Sequence, residues 1–258
     1  VNWFPQIGSG SLVQLPLHRR RKWRAITNVM EEGGSISLAD PASGEIEWRL
    51  SYRDLSEAEV SSLKELFMAC RGRFEAFGFA DPVANLLAWS EDLTRPNWQG
   101  GLIAVARGVA DPQGGQCAST LSNGSAGGQL VSQTMDVPGQ YVGCFSVWMR
   151  SDVSRSITLQ RDGAAAVAEV NPQWKRFFVS GSGGPAAANS SVSLLVGPGQ
   201  SVDVWGQQFE AQPYPSQYKP TKGASRIYPE TYFGADELTI TSVGVGRSSC
   251  EMTLVSRV

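Results

Sequence analysis

A single histidine limits the chemistry this chain could run. His18 sits in His18-Arg-Arg-Arg-Lys-Trp-Arg. Any Ser-His-Asp or Cys-His arrangement would need its base from an arginine run that opposes imidazole protonation. The four cysteines, Cys70, Cys117, Cys144 and Cys250, form no C-x-x-C pair and read as small buried hydrophobes, neither zinc ligands nor a disulfide framework. No glycine-rich phosphate loop precedes a helix. Acids are plentiful, so residue type permits a paired-carboxylate glycosidase, but those of the middle third follow no known spacing. No catalytic residue is assigned, and the expectation is a protein that is not an enzyme.

The same basic run could face phosphates or an acidic protein neighbour. It could equally be the solvated face of an edge strand whose cations discourage edge-to-edge pairing. A formal net charge of −2 favours the last two and argues against a general nucleic-acid binder. Charged residues are only 18% and glycines number 28 in 258 residues, which points to β structure with many turns. The N-terminus has no charged-then-apolar leader and no apolar run reaches membrane-spanning length, so the expectation is a protein made in the cytosol with no membrane span. Asn123-Gly-Ser and Asn189-Ser-Ser match the glycosylation triplet but mean nothing without a secretory signal.

Two textures divide the chain. Ile46, Trp48, Leu50 and Tyr52 alternate with Glu47, Arg49 and Ser51, the period of a strand with one apolar face. Ser56 and Glu59 form a capping box, with Leu55 and Val60 at the positions of a hydrophobic staple. Val60, Leu63, Leu66, Phe67 and Cys70 keep helical spacing, and Gly72 can take the left-handed position that stops the helix. A strand is expected through Phe74, Phe77 and Phe79. Upstream, extended structure from Leu12 to Met30 returns through Glu32-Gly-Gly into Ile36 and Leu38. Downstream, Leu238–Val243 and Cys250–Val258 read as strands around Gly244-Val-Gly. Residues 1–82 and 226–258 are thus expected to form one discontinuous domain of about six strands and a helix, a small α+β fold or β-sandwich. Residues 83–225 are an insertion, tolerable if its ends meet.

Leu50-Ser-Tyr-Arg-Asp-Leu-Ser, the helix with Leu66-Phe67, Arg71-Gly-Arg-Phe, Phe79-Ala-Asp-Pro and the short β ending resemble the distal tail and tail-tip ring proteins of long-tailed bacteriophages, the lambda tail-tip M group most of all. The resemblance covers the outer domain. It implies a structural virion protein at the tail tip, a homo-oligomeric ring, commonly a hexamer, between the tail tube and the tip hub proteins. An equivalent ring in a phage-like injection or gene-transfer apparatus is the same architecture in another setting.

The insertion is poor in charge and rich in Gly, Ser and Val. Alternating segments at 130–137, 141–150, 156–161, 167–170, 174–180, 192–196 and 202–209, with turns such as Val137-Pro-Gly and Gly197-Pro-Gly, predict a jelly-roll sandwich of about eight strands. Asn85-Leu-Leu-Ala-Trp-Ser-Glu-Asp-Leu, Phe145-Ser-Val-Trp-Met-Arg, Trp174-Lys-Arg-Phe, Asp203-Val-Trp-Gly-Gln-Gln-Phe-Glu and Tyr218-Lys-Pro-Thr resemble carbohydrate-binding-type jelly rolls. That resemblance implies a host-surface glycan as partner and a structural calcium in some relatives, for which Glu91, Asp92, Asp203 and Glu210 are the oxygen-bearing residues near the sandwich's chain ends. Alternation puts Phe145, Val147 and Met149 inward and Trp148 outward; in the next strand Ile157 and Leu159 face inward, Thr158 and Gln160 outward. The candidate sugar site is therefore Trp148, Thr158 and Gln160, an indole face among hydroxyl and amide groups; the alternative is that Trp148 covers a sheet edge or packs on a loop. Trp98, Trp174 and Trp205 are expected in the core. The competing reading is a glycan-depolymerising tail enzyme.

Overall fold

The computed structural model describes residues 2–223 and 225–257. In chain order it begins with β1 (His18–Val29), β2 (Ser35–Leu55), α1 (Glu57–Ala69) and β3 (Phe77–Ala80). Nine strands follow: β4 (Ile103–Val109), β5 (Ala118–Asn123), β6 (Gln129–Met135), β7 (Gly143–Arg150), β8 (Arg155–Arg161), β9 (Ala164–Val170), β10 (Lys175–Gly181), β11 (Ser190–Val196) and β12 (Ser201–Glu210). The chain then adds β13 (Ile227–Phe233), β14 (Ile240–Gly244) and β15 (Arg247–Arg257). Two compact units result, one of residues 1–8, 12–79 and 228–258, the other of residues 9–11 and 80–227. The fold is mainly β, and among the described residues no helix is long and apolar enough to cross a membrane.

The first unit is a six-stranded sheet, ordered β1-β2-β15-β13-β3 with β14 paired to β15, and the helix α1. Ile46, Trp48, Leu50 and Tyr52 are all buried, as period-two burial requires. Trp48 packs edge-on to Phe79 and Tyr228, each 5.0 Å away, and Phe67 on α1 meets Phe233 at 5.0 Å. The helix starts at the capping box: the Ser56 side chain accepts from the Glu59 N–H while Glu59 accepts from the Ser56 N–H. It stops where Arg71 and Gly72 turn left-handed, with the Gly72 N–H donating to Phe67. Phe74 does not join β3; it lies exposed in the turn before it, because the strand begins only at Phe77. The expected strand end at Val258 lies outside the described residues.

The second unit is a sandwich of two antiparallel sheets, one ordered β10-β7-β12-β5-β4, the other β6-β11-β8-β9. From β5 onward the chain crosses repeatedly between sheets, the winding of a jelly roll. The nine strands include two, β4 and β5, that sequence alternation did not reveal. Their faces read Ile-Ala-Val-Ala-Arg-Gly-Val and Ala-Ser-Thr-Leu-Ser-Asn, too small and polar to show a period. Phe145, Val147 and Met149 from one sheet and Ile157, Leu159, Val192 and Leu194 from the other fill the interior. Arg161 shares that interior face with no exposed surface. Its guanidinium donates to the carbonyls of Gly139 and Tyr141 and to Ser190, and pairs with Asp162 at 2.8 Å.

The two ends of the module are joined by a buried asparagine. Asn85 Nδ2 donates to the carbonyls of Gln207 and Lys219, and its Oδ1 accepts from the N–H groups of Leu87 and Phe209. Ser90 and Thr221 exchange side-chain-to-backbone hydrogen bonds beside it, and the Asp81 N–H donates to the Arg226 carbonyl. Substituting Asn85→Ala removes the side-chain partner of three buried backbone groups and of the part-buried Lys219 carbonyl, so urea unfolding of the chain should show a loss of about 2–4 kcal/mol in this unit. Asn85→Asp, which keeps the acceptor but has no donor, should fall in the same range; wild-type unfolding midpoints in both would show that the closure contributes nothing.

Candidate functional site

β7 places Ser146, Trp148 and Arg150 on the outer face of the five-stranded sheet, because Val147 and Met149 point into the core. Pairing then sets their neighbours. Arg150 lies opposite Asp203 on β12, and Asp203 lies opposite Thr120 on β5. Arg150 Nε donates to Asp203 Oδ2 at 2.9 Å, and Thr120 Oγ1 donates to Asp203 Oδ1 at 2.6 Å. The Arg150 guanidinium also stacks 4.8 Å from the ring of Trp174, which precedes β10. The row across this face therefore runs Trp174, Arg150, Asp203, Thr120.

The next row runs Arg176, Trp148, Trp205. Trp205 is buried under Tyr218, whose ring is 4.7 Å away, so residues 211–221 cover that end of the sheet. Glu210 fixes this cover by accepting from the N–H of Ser216 and from Gln208 Nε2 at 2.7 Å. A β-bulge between Trp205 and Gln208 holds Gly206 at φ +67°, where an added Cβ would come within 3.2 Å of the Trp148 ring. Trp148 itself is half-buried. Its Nε1 is covered and has no hydrogen-bond partner, so the surface it offers is ring carbon. The combined patch is an aromatic edge beside a fixed charge pair and a hydroxyl, which suits a ligand with an apolar face and several hydroxyl groups.

Thr158 and Gln160 do not belong to it. They face outward as alternation predicts, but on β8, in the four-stranded sheet on the opposite side of the sandwich from Trp148. Gln160 is occupied by Ser193, whose hydroxyl donates to its Oε1 at 2.9 Å. The expected triad fails because the β7–β8 connection crosses between sheets, so consecutive strands are not neighbours. Trp98 and Trp205 are buried as expected, whereas Trp174 is half-exposed and part of the patch. Arg150 was legible, since it shares the parity of Trp148. Asp203 and Thr120 join only through strand pairing.

The four acids considered for calcium do not converge. Asp92 is held by Thr94, by Arg95 at 2.8 Å and by Arg107 at 3.3 Å; Glu91 accepts from the Tyr218 hydroxyl; Asp203 and Glu210 have the partners given above. Among the described residues no group of three or more His, Cys, Asp or Glu side chains could hold a metal. Guanidinium groups take the lone pairs of Asp92 and Asp203, and hydroxyl, amide and ammonium donors engage Glu91 and Glu210, so these residues do not fit calcium.

No family model matches the chain, and neither does any curated protein. Among solved structures, the enzymatically active domain of tailspike protein 4 from bacteriophage CBA120 is 12% identical with a TM-score of 0.39, covering 51% of this chain and 22% of that one. A xylan-binding domain from carbohydrate-binding module family 22 is 14% identical with a TM-score of 0.42, covering 53% of this chain and 100% of that one. The xylan-binding domain from Paenibacillus barcinonensis Xyn10C is 15% identical with a TM-score of 0.40, covering 51% and 97%. At TM-scores below 0.5 these likenesses carry no functional weight, and the site rests on its own geometry.

Burial pushes the Asp92 carboxyl up, but hydrogen bonds from Thr94 and Arg95 and the charge of Arg107 outweigh it and leave its pKa lowered. A lowered folded-state pKa stabilises above the unfolded value of about 3.9 and is lost as pH falls through the folded one. Stability should therefore drop on acidification below about pH 4, and Asp92→Asn should flatten that dependence in urea titrations at pH 2.5–5.

Proposed function

We propose that the chain is a structural subunit of a phage-like tail tip that presents a glycan-binding module to the host surface. The single observation that carries the binding reading is the half-exposed Trp148 and Trp174 flanking the Arg150–Asp203 pair on one sheet face. A pyranose lays its C–H face on indole carbon while its hydroxyls take the fixed charges. Glu91, Asp92, Asp203 and Glu210 are each engaged by a named donor, which supports binding over catalysis at this end of the module. Several weak sites on one particle add avidity for a repeating host polysaccharide.

The tail reading is supported by the outer-domain motifs of the first and last segments. On that reading the first unit assembles into a ring, commonly hexameric, that joins the tail tube to the tip hub. The protein is made in the host cytoplasm and resides at the virion tail tip; a phage-like injection apparatus would use the same ring.

Two experiments separate these claims. In affinity electrophoresis through host polysaccharide, Trp148→Ala and Trp174→Ala should each weaken retardation about tenfold, equal to roughly 1.4 kcal/mol, with circular dichroism unchanged. Unaltered retardation in both would remove the sugar site, and release of reducing ends by the wild type would replace binding with depolymerisation. Negative-stain electron microscopy of the purified chain should show rings; particles no larger than a dimer at every concentration would count against the ring.

A further inference from the structure

The outer half of the β1–β2 hairpin has no covering layer. β15 pairs with β2 only from Glu45 to Leu55, and among the described residues β1 pairs with β2 alone. Beyond that point, residues 23–40 form a two-stranded ribbon carrying Trp23 (63% exposed), Ile26 (49%), Val29 (75%) and Leu38 (56%). A lone ribbon is marginal in water, and a free strand edge is a template for another strand. The root of that edge is guarded by Arg19, Arg20, Arg21 and Lys22. The outer stretch Ala25-Ile-Thr-Asn-Val has no charge at all.

We infer that this hairpin arm pairs with the arm of a second copy of the chain, edge to edge and antiparallel, about a twofold axis at Ile26. Charge arrangement selects the occupant and the register. A twofold antiparallel pair centred on Ile26 sets Trp23 opposite the second copy's Val29. It sets Arg21 and Arg20 alongside the Glu31 and Glu32 of its turn. Ile26 pairs with Leu38 within each arm, so an apolar row Leu38–Ile26 continues through the axis across four strands. Registers that slide toward the root bring arginine against arginine and are disfavoured. The cations that guard the root thus leave one pairing open. The contact is isologous and does not rest on the ring or the glycan reading.

Sedimentation velocity of the full chain over a concentration series tests it. The wild type should show a reversible pairing step, of single chains or of assembled rings. Arg20→Glu with Arg21→Glu, and separately Glu31→Arg with Glu32→Arg, should each raise the dimer dissociation constant about tenfold or more, since like charges then face each other at both ends. Mixing the two variants should restore the dimer, because in the mixed pair both ends are complementary again. That rescue also shows both variants are folded. A wild type that stays monomeric, variants that associate like the wild type, or variants that fail to rescue each other would overturn the inference. Rings that still form in both variants while the concentration-dependent pairing is lost would support the inference and leave the tail reading intact.

Discussion

The second unit depends on the closure that Asn85 makes. One side chain satisfies two carbonyls and two N–H groups drawn from the first and last strands' neighbourhood of the module, with both ends of the amide used. Only a primary amide can do this, because it alone offers two donors and two acceptor positions in one plane. With the chain's entry and exit held side by side, residues 80–227 can fold as a body whose loop-closure cost is already met. Ser90, Thr221 and the Asp81–Arg226 bond repeat the same device in weaker form.

The sandwich has its own internal constraint at Arg161. A fully buried guanidinium needs matched donors, and here three polar groups and the Asp162 carboxylate take both terminal nitrogens, while Nε is left without a hydrogen-bond partner. The ring of Phe209 lies 5.5 Å from the same guanidinium, and Gly143 leaves room for both. Burial lowers the Arg161 pKa and Asp162 opposes that shift, so the charge stays where the turn carbonyls need it. The same guanidinium ties the carbonyls just before β7 to the core, while Glu210 on β12 holds residues 211–221 over the other face of that sheet.

The two proposed roles, binding and assembly, draw on different chemistry. The sheet face with Trp148 is built from fixed pairs, so a ligand docking there would meet preset groups at little ordering cost. The hairpin arm is the reverse, a ribbon with exposed apolar side chains whose stability is completed by a neighbour. On the proposed pairing, charge at the arm's root and turn, with Arg24 already paired to Asp40 and none on residues 25–29, makes the contact selective as well as adhesive.

Much of the local structure was legible in the residues themselves. The capping box at Ser56 and Glu59, the buried parity of Ile46 to Tyr52, and the inward set Phe145, Val147 and Met149 each follow from spacing, because backbone geometry ties side-chain direction to position along one element. The β-rich character of the middle third followed from its turns. What spacing cannot carry is which strand lies beside which. That information decided that Thr158 and Gln160 sit across the sandwich from Trp148, that Trp174 stacks on Arg150, and that Asp203 and Thr120 complete the patch. It also turned Asn85 from the opening of a motif into the clasp of a domain. Periodicity is a property of one segment, whereas adjacency in a sheet is chosen by the burial and hydrogen bonding of the whole chain.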